Sequence, residues 1–301
     1  MLFEGTEKKF EIMVTVDGPD LRGLGDDAWR AVIAASRAEP LHHRRGGQLD
    51  AWLLSESSLF VSARQAVMIT CGRTTLIDGL VHLLDRLPAD DVASLIYERK
   101  NENYPDEQPT RFVDDRARLQ DRLGGESLAF GDLGGDHVSL YHLGRPVPVE
   151  PADSTLEVLM HGIDPAVAAL FAPGGPPTAD LRQRLGLDTL LAGFAIDDHL
   201  FTPQGYSLNA IRGRRYATMH VTPEREHSYA SFELAWNLDV ALVREAVRRL
   251  LRGLRPERVD LLLFMHDPPV DVMFQGYTSD RGRHERLGCG YPVLYRHLVR
   301  T

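Results

Sequence analysis

Leu53-Leu54-Ser55-Glu56-Ser57-Ser58-Leu59-Phe60-Val61-Ser62 is an apolar, strand-like run interrupted by small hydroxyls and one carboxylate. Strand side chains alternate between two faces, which places Leu54, Glu56 and Ser58 on one face and Ser55, Ser57 and Leu59 on the other. For any single serine in such a run, an ordinary strand hydroxyl is the commoner reading. Residues 51–61 then form one strand, and residues 66–70 are expected to pair with it across a short turn. Upstream, residues 10–16 alternate as a strand that Gly18-Pro19 ends. Asp26 or Asp27 caps a helix carrying Trp29, Val32 and Ile33, with Pro40 beyond its end. Downstream, Leu76, Ile77, Leu80, Leu83, Leu84 and Leu87 mark an amphipathic helix over residues 74–87, closed by Pro88.

The same alternation of strands and helices continues. Residues 92–99 read as a strand, 100–110 as a loop, 114–123 as a helix, and 127–131 with 136–143 as a hairpin around Gly134-Gly135. Gly144-Arg145-Pro146-Val147-Pro148-Val149-Glu150-Pro151 is the best internal boundary, because its prolines cannot continue a helix or a central strand. Beyond it come a strand at 155–160, a helix start at Asp164-Pro165, a short helix around 181–185, and strands near Phe194, Ser207, Thr218 and Ser231. The clearest helix is 239–252, with Val240, Val243, Val247, Leu250 and Leu251 on one face, and 259–266 is an apolar strand. The Pro-, Gly- and Arg-rich tail from Asp267 is expected to be weakly ordered.

A chain of 301 residues, 43% hydrophobic and 26% charged, is globular and long enough for one large domain or two fused halves. A net charge of -9 argues against a general binder of nucleic acid or anionic membrane. His42-His43-Arg44-Arg45, the densest basic spot, reads as a solvated loop. Cys71 and Cys289 show neither CxxC nor metal-type spacing, so no disulfide framework and no metal site is expected. No signal peptide or membrane-length apolar run is evident, so a soluble, cytoplasmic protein is expected.

Four separated words occur in one order: Phe3-Glu4-Gly5-Thr6-Glu7-Lys8; the serine run with Thr70-Cys71-Gly72 after it; Pro203-Gln204-Gly205-Tyr206-Ser207-Leu208-Asn209; and His220-Val221-Thr222-Pro223-Glu224. Together they resemble the motifs of the eukaryotic-type S-adenosylmethionine decarboxylases, clearly from Phe3 to about Glu233 and thinly afterwards. The resemblance implies an α+β fold, a four-layer α/β/β/α sandwich of two antiparallel sheets with helices on the outer faces. It covers a single domain, 1–301, with halves 1–145 and 152–301 as a candidate duplication.

The resemblance also implies a cofactor the chain makes for itself. Ser57 attacks the carbonyl of Glu56, an ester forms, and β-elimination yields residues 1–56 and 57–301, with a pyruvoyl group at position 57. The pieces stay associated because they share sheets. Substrate amine joins the pyruvoyl carbonyl as a Schiff base, which serves as electron sink when carbon dioxide leaves. By motif position His220 is the processing base, Ser207 the hydroxyl supporting the ester, and Cys71 the proton donor. A thiol's ordinary pKa of ~8.5 leaves it mostly protonated at neutral pH. Glu4 and Glu7 serve processing and activity.

Phe3 and Phe201 match the aromatics that sandwich the adenine, Glu224 the carboxylate on the ribose, and Leu54 a backbone contact to the base. Glu56 flanks the cut and the substrate. Glu11, Asp153, Thr155, Glu157 and Glu233 match a buried charged network beside a diamine site, with Arg99 as a candidate internal cation and putrescine as a candidate activator. A homodimer is a candidate assembly. Each residue taken alone has a blander reading: core packing for the phenylalanines, a solvated surface for the glutamates, a satisfied core group for His220.

Three departures stand out. Arg73 is an extra residue after Cys71-Gly72, Gln204 replaces a cysteine common in relatives, and Ile69 replaces a lysine that some members place in the charged network. Rival readings are a pyruvoyl-dependent decarboxylase of ornithine or arginine, and a non-catalytic activating partner of a paralogue. The expected product otherwise is decarboxylated S-adenosylmethionine, the aminopropyl donor of spermidine and spermine biosynthesis.

Overall fold

The computed structural model describes residues 4–55, 57–146, 152–172, 174–268 and 273–301. By internal contacts the described residues form two compact units. The N-terminal unit holds residues 6–146 and 287–290; the C-terminal unit holds 4–5, 152–286 and 291–301.

The N-terminal unit is an eight-stranded antiparallel sheet in the order β2-β3-β4-β5-β1-β6-β8-β7. Its strands are β1 (Lys8–Val14), β2 (Pro40–Arg45), β3 (Leu49–Leu54), β4 (Ser57–Ser62), β5 (Gln65–Thr70), β6 (Val92–Lys100), β7 (Glu126–Gly131) and β8 (His137–His142). Its helices are α1 (Asp26–Ala35), α2 (Leu76–Leu84) and α3 (Phe112–Leu123). One face of the sheet (Phe10, Ile12, Val14, Trp52, Leu54, Leu59, Val61, Ala66, Met68, Leu95, Tyr97) packs in one hydrophobic cluster with Trp29, Val32 and Ile33 of α1 and the apolar stripe of α2. Burial of that stripe, at ~25 cal/mol per Å² of apolar area, holds the helices on the sheet.

The C-terminal unit contains a second eight-stranded antiparallel sheet, β10-β11-β12-β13-β9-β14-β16-β15. Its strands are β9 (Thr155–His161), β10 (Ala195–Leu200), β11 (Tyr206–Arg212), β12 (Arg215–Thr222), β13 (Tyr229–Ala235), β14 (Arg258–Phe264), β15 (Tyr277–Arg286) and β16 (Pro292–Arg300). Helices α4 (Pro165–Ala168), α5 (Thr178–Leu185), α6 (Leu187–Leu190) and α7 (Val240–Leu254) complete it. Asp239 caps α7 by accepting from the Leu242 amide at 2.7 Å. Val243, Ala246, Val247, Leu250, Leu251 and Leu254 are buried against the sheet. Strand for strand, this order repeats the first sheet's.

The α+β class and the two antiparallel sheets are as expected. Four local readings are corrected. Residues 42–45 lie in the edge strand β2 and not in a loop, and the N-cap residue of α1 is Gly25, with Asp26 and Asp27 inside the first turn. Residues 51–61 belong to two antiparallel strands, β3 and β4, with Leu54 and Ser57 opposite each other and Ser55 in a turn between them. The fold-back puts Leu54 and Leu59 on the same, helix-covered face. The tail from Asp267 contributes two ordered strands, β15 and β16, because β16 pairs with the central β14.

Candidate active site

In the N-terminal unit the serine run turns back on itself. Ser55 is clamped to residue 39 twice: its amide donates to the Glu39 carbonyl at 2.8 Å, and its hydroxyl accepts from the Glu39 amide at 2.9 Å. Ser57 emerges from that turn with φ +140°, a conformation few residues other than glycine adopt, and it is 1% exposed. Its cross-strand partner is Thr70, which in turn pairs with Lys8 on β1. Register therefore gathers Ser57, Cys71 and Glu7 at one end of three adjacent strands, all buried. The Leu54 side chain lies in the helix-covered core, so only its backbone faces the turn. Arg73, the extra residue, points outward to an ion pair with Glu107. Glu56 and Phe3 lie outside the described residues.

In the C-terminal unit, Ser207 and His220 are cross-strand partners on β11 and β12. A hydrogen-bond chain fixes the imidazole. The Thr218 hydroxyl donates to Asn209 Oδ1 at 3.1 Å, so its oxygen accepts from His220 Nε2 at 2.8 Å. That assigns the proton to Nε2 and leaves the Nδ1 lone pair to accept from the Ser207 hydroxyl at 2.9 Å. Burial pushes the His220 pKa down to about 3, so the ring is neutral at pH 7.

Gly5 packs against β12 and β13. A Cβ there would fall 2.9 Å from Thr222 Cβ and 3.1 Å from Tyr229 Cβ, so glycine permits the approach that carries buried Glu4 to this end of the sheet. Glu224 and Phe201 are half-buried. The Phe201 ring meets His199 edge-on, centroids 4.8 Å apart, and His199 is the cross-strand partner of Ser207. Sequence reasoning missed His199, Thr218 and Asn209. Asn209 closes a quoted motif and Thr218 lies two residues before His220, but only the strand pairing joins them.

The charged network divides between the units. Glu157 and Glu233 are buried cross-strand partners on β9 and β13, and Glu233 accepts from the Tyr216 hydroxyl. Asp153 accepts from the Tyr291 hydroxyl, and Thr155 is buried nearby in sequence. In the N-terminal unit, Glu11 accepts from Gln65 Nε2 at 2.7 Å and has Lys9 Nζ at 3.8 Å. Arg99 is a correction. It shares the helix-covered face with Tyr97 and pairs with Glu102 and, at 2.7 Å, with Asp115. Glu11 lies on the opposite face of its strand from Phe10 and Ile12, so the cation beside it is Lys9 rather than Arg99.

A second group also escaped the sequence. Asp260 on β14 accepts from the Tyr295 hydroxyl and His297 Nδ1, each at 2.7 Å, with His161 Nε2 at 3.7 Å. Burial alone would raise its pKa, but His161, His297 and Tyr295 hold the carboxyl well below the usual range. Among the described residues no set of three or more His, Cys, Asp or Glu side chains is arranged to hold a metal ion. No described helix is long and apolar enough to cross a membrane.

Comparison with known proteins places this geometry in a family. The family model described as adenosylmethionine decarboxylase matches residues 1–297. The S-adenosylmethionine decarboxylase proenzyme of Leishmania donovani is 31% identical over 320 aligned positions, covering 99% of this chain and 81% of that protein. That of Caenorhabditis elegans is 33% identical, covering 99% and 88%. The crystal structure of the Trypanosoma brucei AdoMetDC-delta26 monomer shares the fold with a TM-score of 0.61 at 24% identity, over 81% of this chain and 99% of that one. Motifs, register and whole-length similarity agree that the chain belongs to the adenosylmethionine decarboxylase family of enzymes.

Proposed function

We propose that this chain is a proenzyme that cuts itself between Glu56 and Ser57 and then decarboxylates S-adenosylmethionine to supply the aminopropyl donor for polyamine synthesis. The observation that carries the reading is Ser57 itself: a buried, non-glycine residue held at φ +140°, two residues after Ser55, which is hydrogen-bonded twice to Glu39. Backbone strain of this kind is worth of order 1–3 kcal/mol and raises the peptide toward the ester that the Ser57 hydroxyl forms with the Glu56 carbonyl.

Cleavage balances without any outside reagent but water. Ser57 Oγ bonds to the Glu56 carbonyl carbon as the amide C–N bond breaks, leaving an amine on residue 57. Loss of the residue 57 α-proton to a base then expels the Glu56 carboxylate from Cβ. The resulting enamine tautomerises, and water replaces nitrogen as ammonia, leaving the pyruvoyl carbonyl. His220 suits the role of base, being neutral, with its ring fixed by Thr218 and Ser207. The Ser207 hydroxyl is oriented by His220 and suits support of the ester oxygen.

A small, buried position between β3 and β5 fits a pyruvoyl group, which supplies the electron sink for the carbanion left by decarboxylation. The chain's own residues do the rest. Cys71, one residue beyond the strand partner of Ser57, is placed to supply the proton for the substrate carbon from which the carboxylate departs. Phe201 and Glu224 select the nucleoside, the first by stacking and the second through ribose hydroxyls. Lys9 beside Glu11 is the resident counter-charge in the network where a diamine such as putrescine would act.

Mass spectrometry of purified protein tests the reading. The expected result is two fragments from one chain, the larger beginning with pyruvoyl at position 57, together with carbon dioxide release from S-adenosylmethionine. An intact chain with serine at 57 under native conditions overturns it.

A further inference from the structure

Lys8 closes the first sequence motif, and no role has yet fallen to it. It is 2% exposed, on the helix-covered parity of β1, directly opposite Thr70. Its Nζ donates to the Gly72 carbonyl at 2.9 Å and lies 3.4 Å from Thr74 Oγ1. Thr74 Oγ1 in turn lies 2.9 Å from Thr70 Oγ1 and 3.0 Å from the Cys71 carbonyl. The two peptide carbonyls that follow the Cys71 and Gly72 α-carbons are thus each held by one member of a single Lys8–Thr74 unit.

The loop those bonds hold is short, residues 71–75 between β5 and α2, and it turns through Gly72 at φ +66°. Its far end is anchored to α1, where the Thr75 amide reaches the Ser36 carbonyl at 3.0 Å and its hydroxyl the Ala35 carbonyl at 2.9 Å. Arg73 swings out to Glu107 and leaves the interior of the loop to Lys8. Burying an ammonium costs far more than burying a neutral donor to the same carbonyl would. In return a charge-assisted hydrogen bond is about twice as strong as a neutral one and holds its acceptor in place.

We infer that Lys8 is a positioning residue for Cys71, pinning the 71–74 backbone so that the thiol delivers its proton to the substrate carbon and not to the cofactor's. The role rests on the decarboxylase reading above. When the electron pair left by carbon dioxide is protonated on the cofactor carbon instead, hydrolysis by water releases an aldehyde. The substrate nitrogen stays on the chain, and residue 57 becomes alanine.

Two arms test the inference with Lys8→Met, Lys8→Arg and Thr74→Val. In the uncleaved Ser57→Ala background, hydrogen exchange across 70–74 and alkylation of Cys71 are followed. Lys8→Met is expected to speed both about tenfold, Thr74→Val less, and Lys8→Arg least. In the processed enzyme, Lys8→Met is expected to lower kcat about tenfold or more with KM nearly unchanged and to accumulate N-terminal alanine during turnover. Lys8→Arg is expected to restore most of kcat. Unchanged exchange and alkylation in Lys8→Met overturn the pin. Loosening of the loop with kcat and the N-terminus unaltered overturns the role in proton delivery. Should Lys8→Met not fold, the same outcomes are read from Thr74→Val. A parent protein that is never cleaved instead removes the decarboxylase reading, while the exchange arm still decides the pin.

Discussion

The two sheets repeat one strand order, and their third and fourth strands are joined by hairpin turns of the same length, Leu54 to Ser57 in one and Arg212 to Arg215 in the other. The second turn meets its need for a left-handed residue with Gly213, at φ +61°. The first contains no glycine, and a positive φ falls on Ser57. A turn of this length in this topology therefore does not require a strained serine. The strain belongs to the first turn alone, and the Ser55–Glu39 clamp keeps it there.

The comparison breaks most completely at Ser57. Ser57→Ala keeps the turn but removes the nucleophile, and a denaturing gel should show one full-length band where the parent shows two. His220→Ala should slow processing by about a hundredfold or more. Removal of the base stops the reaction at the ester, so hydroxylamine, which attacks esters, should still cut this variant and should leave Ser57→Ala intact.

Acidity probes the polar face of the second sheet against the strained turn of the first. His220 is buried neutral with its pKa lowered from 6.5 to about 3, so between those values the unfolded chain binds the extra proton. Stability contributed by the neutral ring is complete above pH 6.5 and is lost as pH falls, with a slope of up to ~1.4 kcal/mol per pH unit. Chemical denaturation of parent and His220→Asn at pH 7 and pH 5 should show the gap between them shrinking at the lower pH. The smallest effects sharpen the hairpin comparison directly. Gly213→Ala should cost about 1 kcal/mol of stability and leave the processing rate alone. Ser55→Ala should cost a similar ~1 kcal/mol by losing one hydrogen bond, but slow processing as Ser57 relaxes.

Helices and core were legible because apolar periodicity survives tertiary context: Leu76, Ile77, Leu80 and Leu83 announce α2 on sight. The reversal between β3 and β4 was not, since the intervening sequence Ser55-Glu56 offers neither the glycine nor the asparagine that ordinarily marks a hairpin. β2, written Pro40-Leu41-His42-His43-Arg44-Arg45, looked like a solvated loop because an edge strand with exposed side chains has no apolar face to advertise it. Within the site, Ser57, Cys71, Ser207 and His220 were found through their motifs. Thr218 and Asn209 were not, because their importance lies in which strand lies opposite which. Arg99 was named a candidate cation of the charged network although it pairs with Glu102 and Asp115, since which face a strand residue takes is fixed by register and cannot be read from the residue.

β1 is hydrogen-bonded on both sides, to β5 and to β6, and it belongs to the fragment that cleavage at position 56 would release. The short polypeptide could then depart only by tearing out the middle of a sheet. Before cleavage, renaturation is a unimolecular closure; afterwards it is a bimolecular search by a short chain for a gap in its former host. Heat-treated mature protein should therefore fail to recover at dilution where the uncut Ser57→Ala precursor recovers, and its lifetime would be set by the barrier to opening, a kinetic rather than an equilibrium persistence.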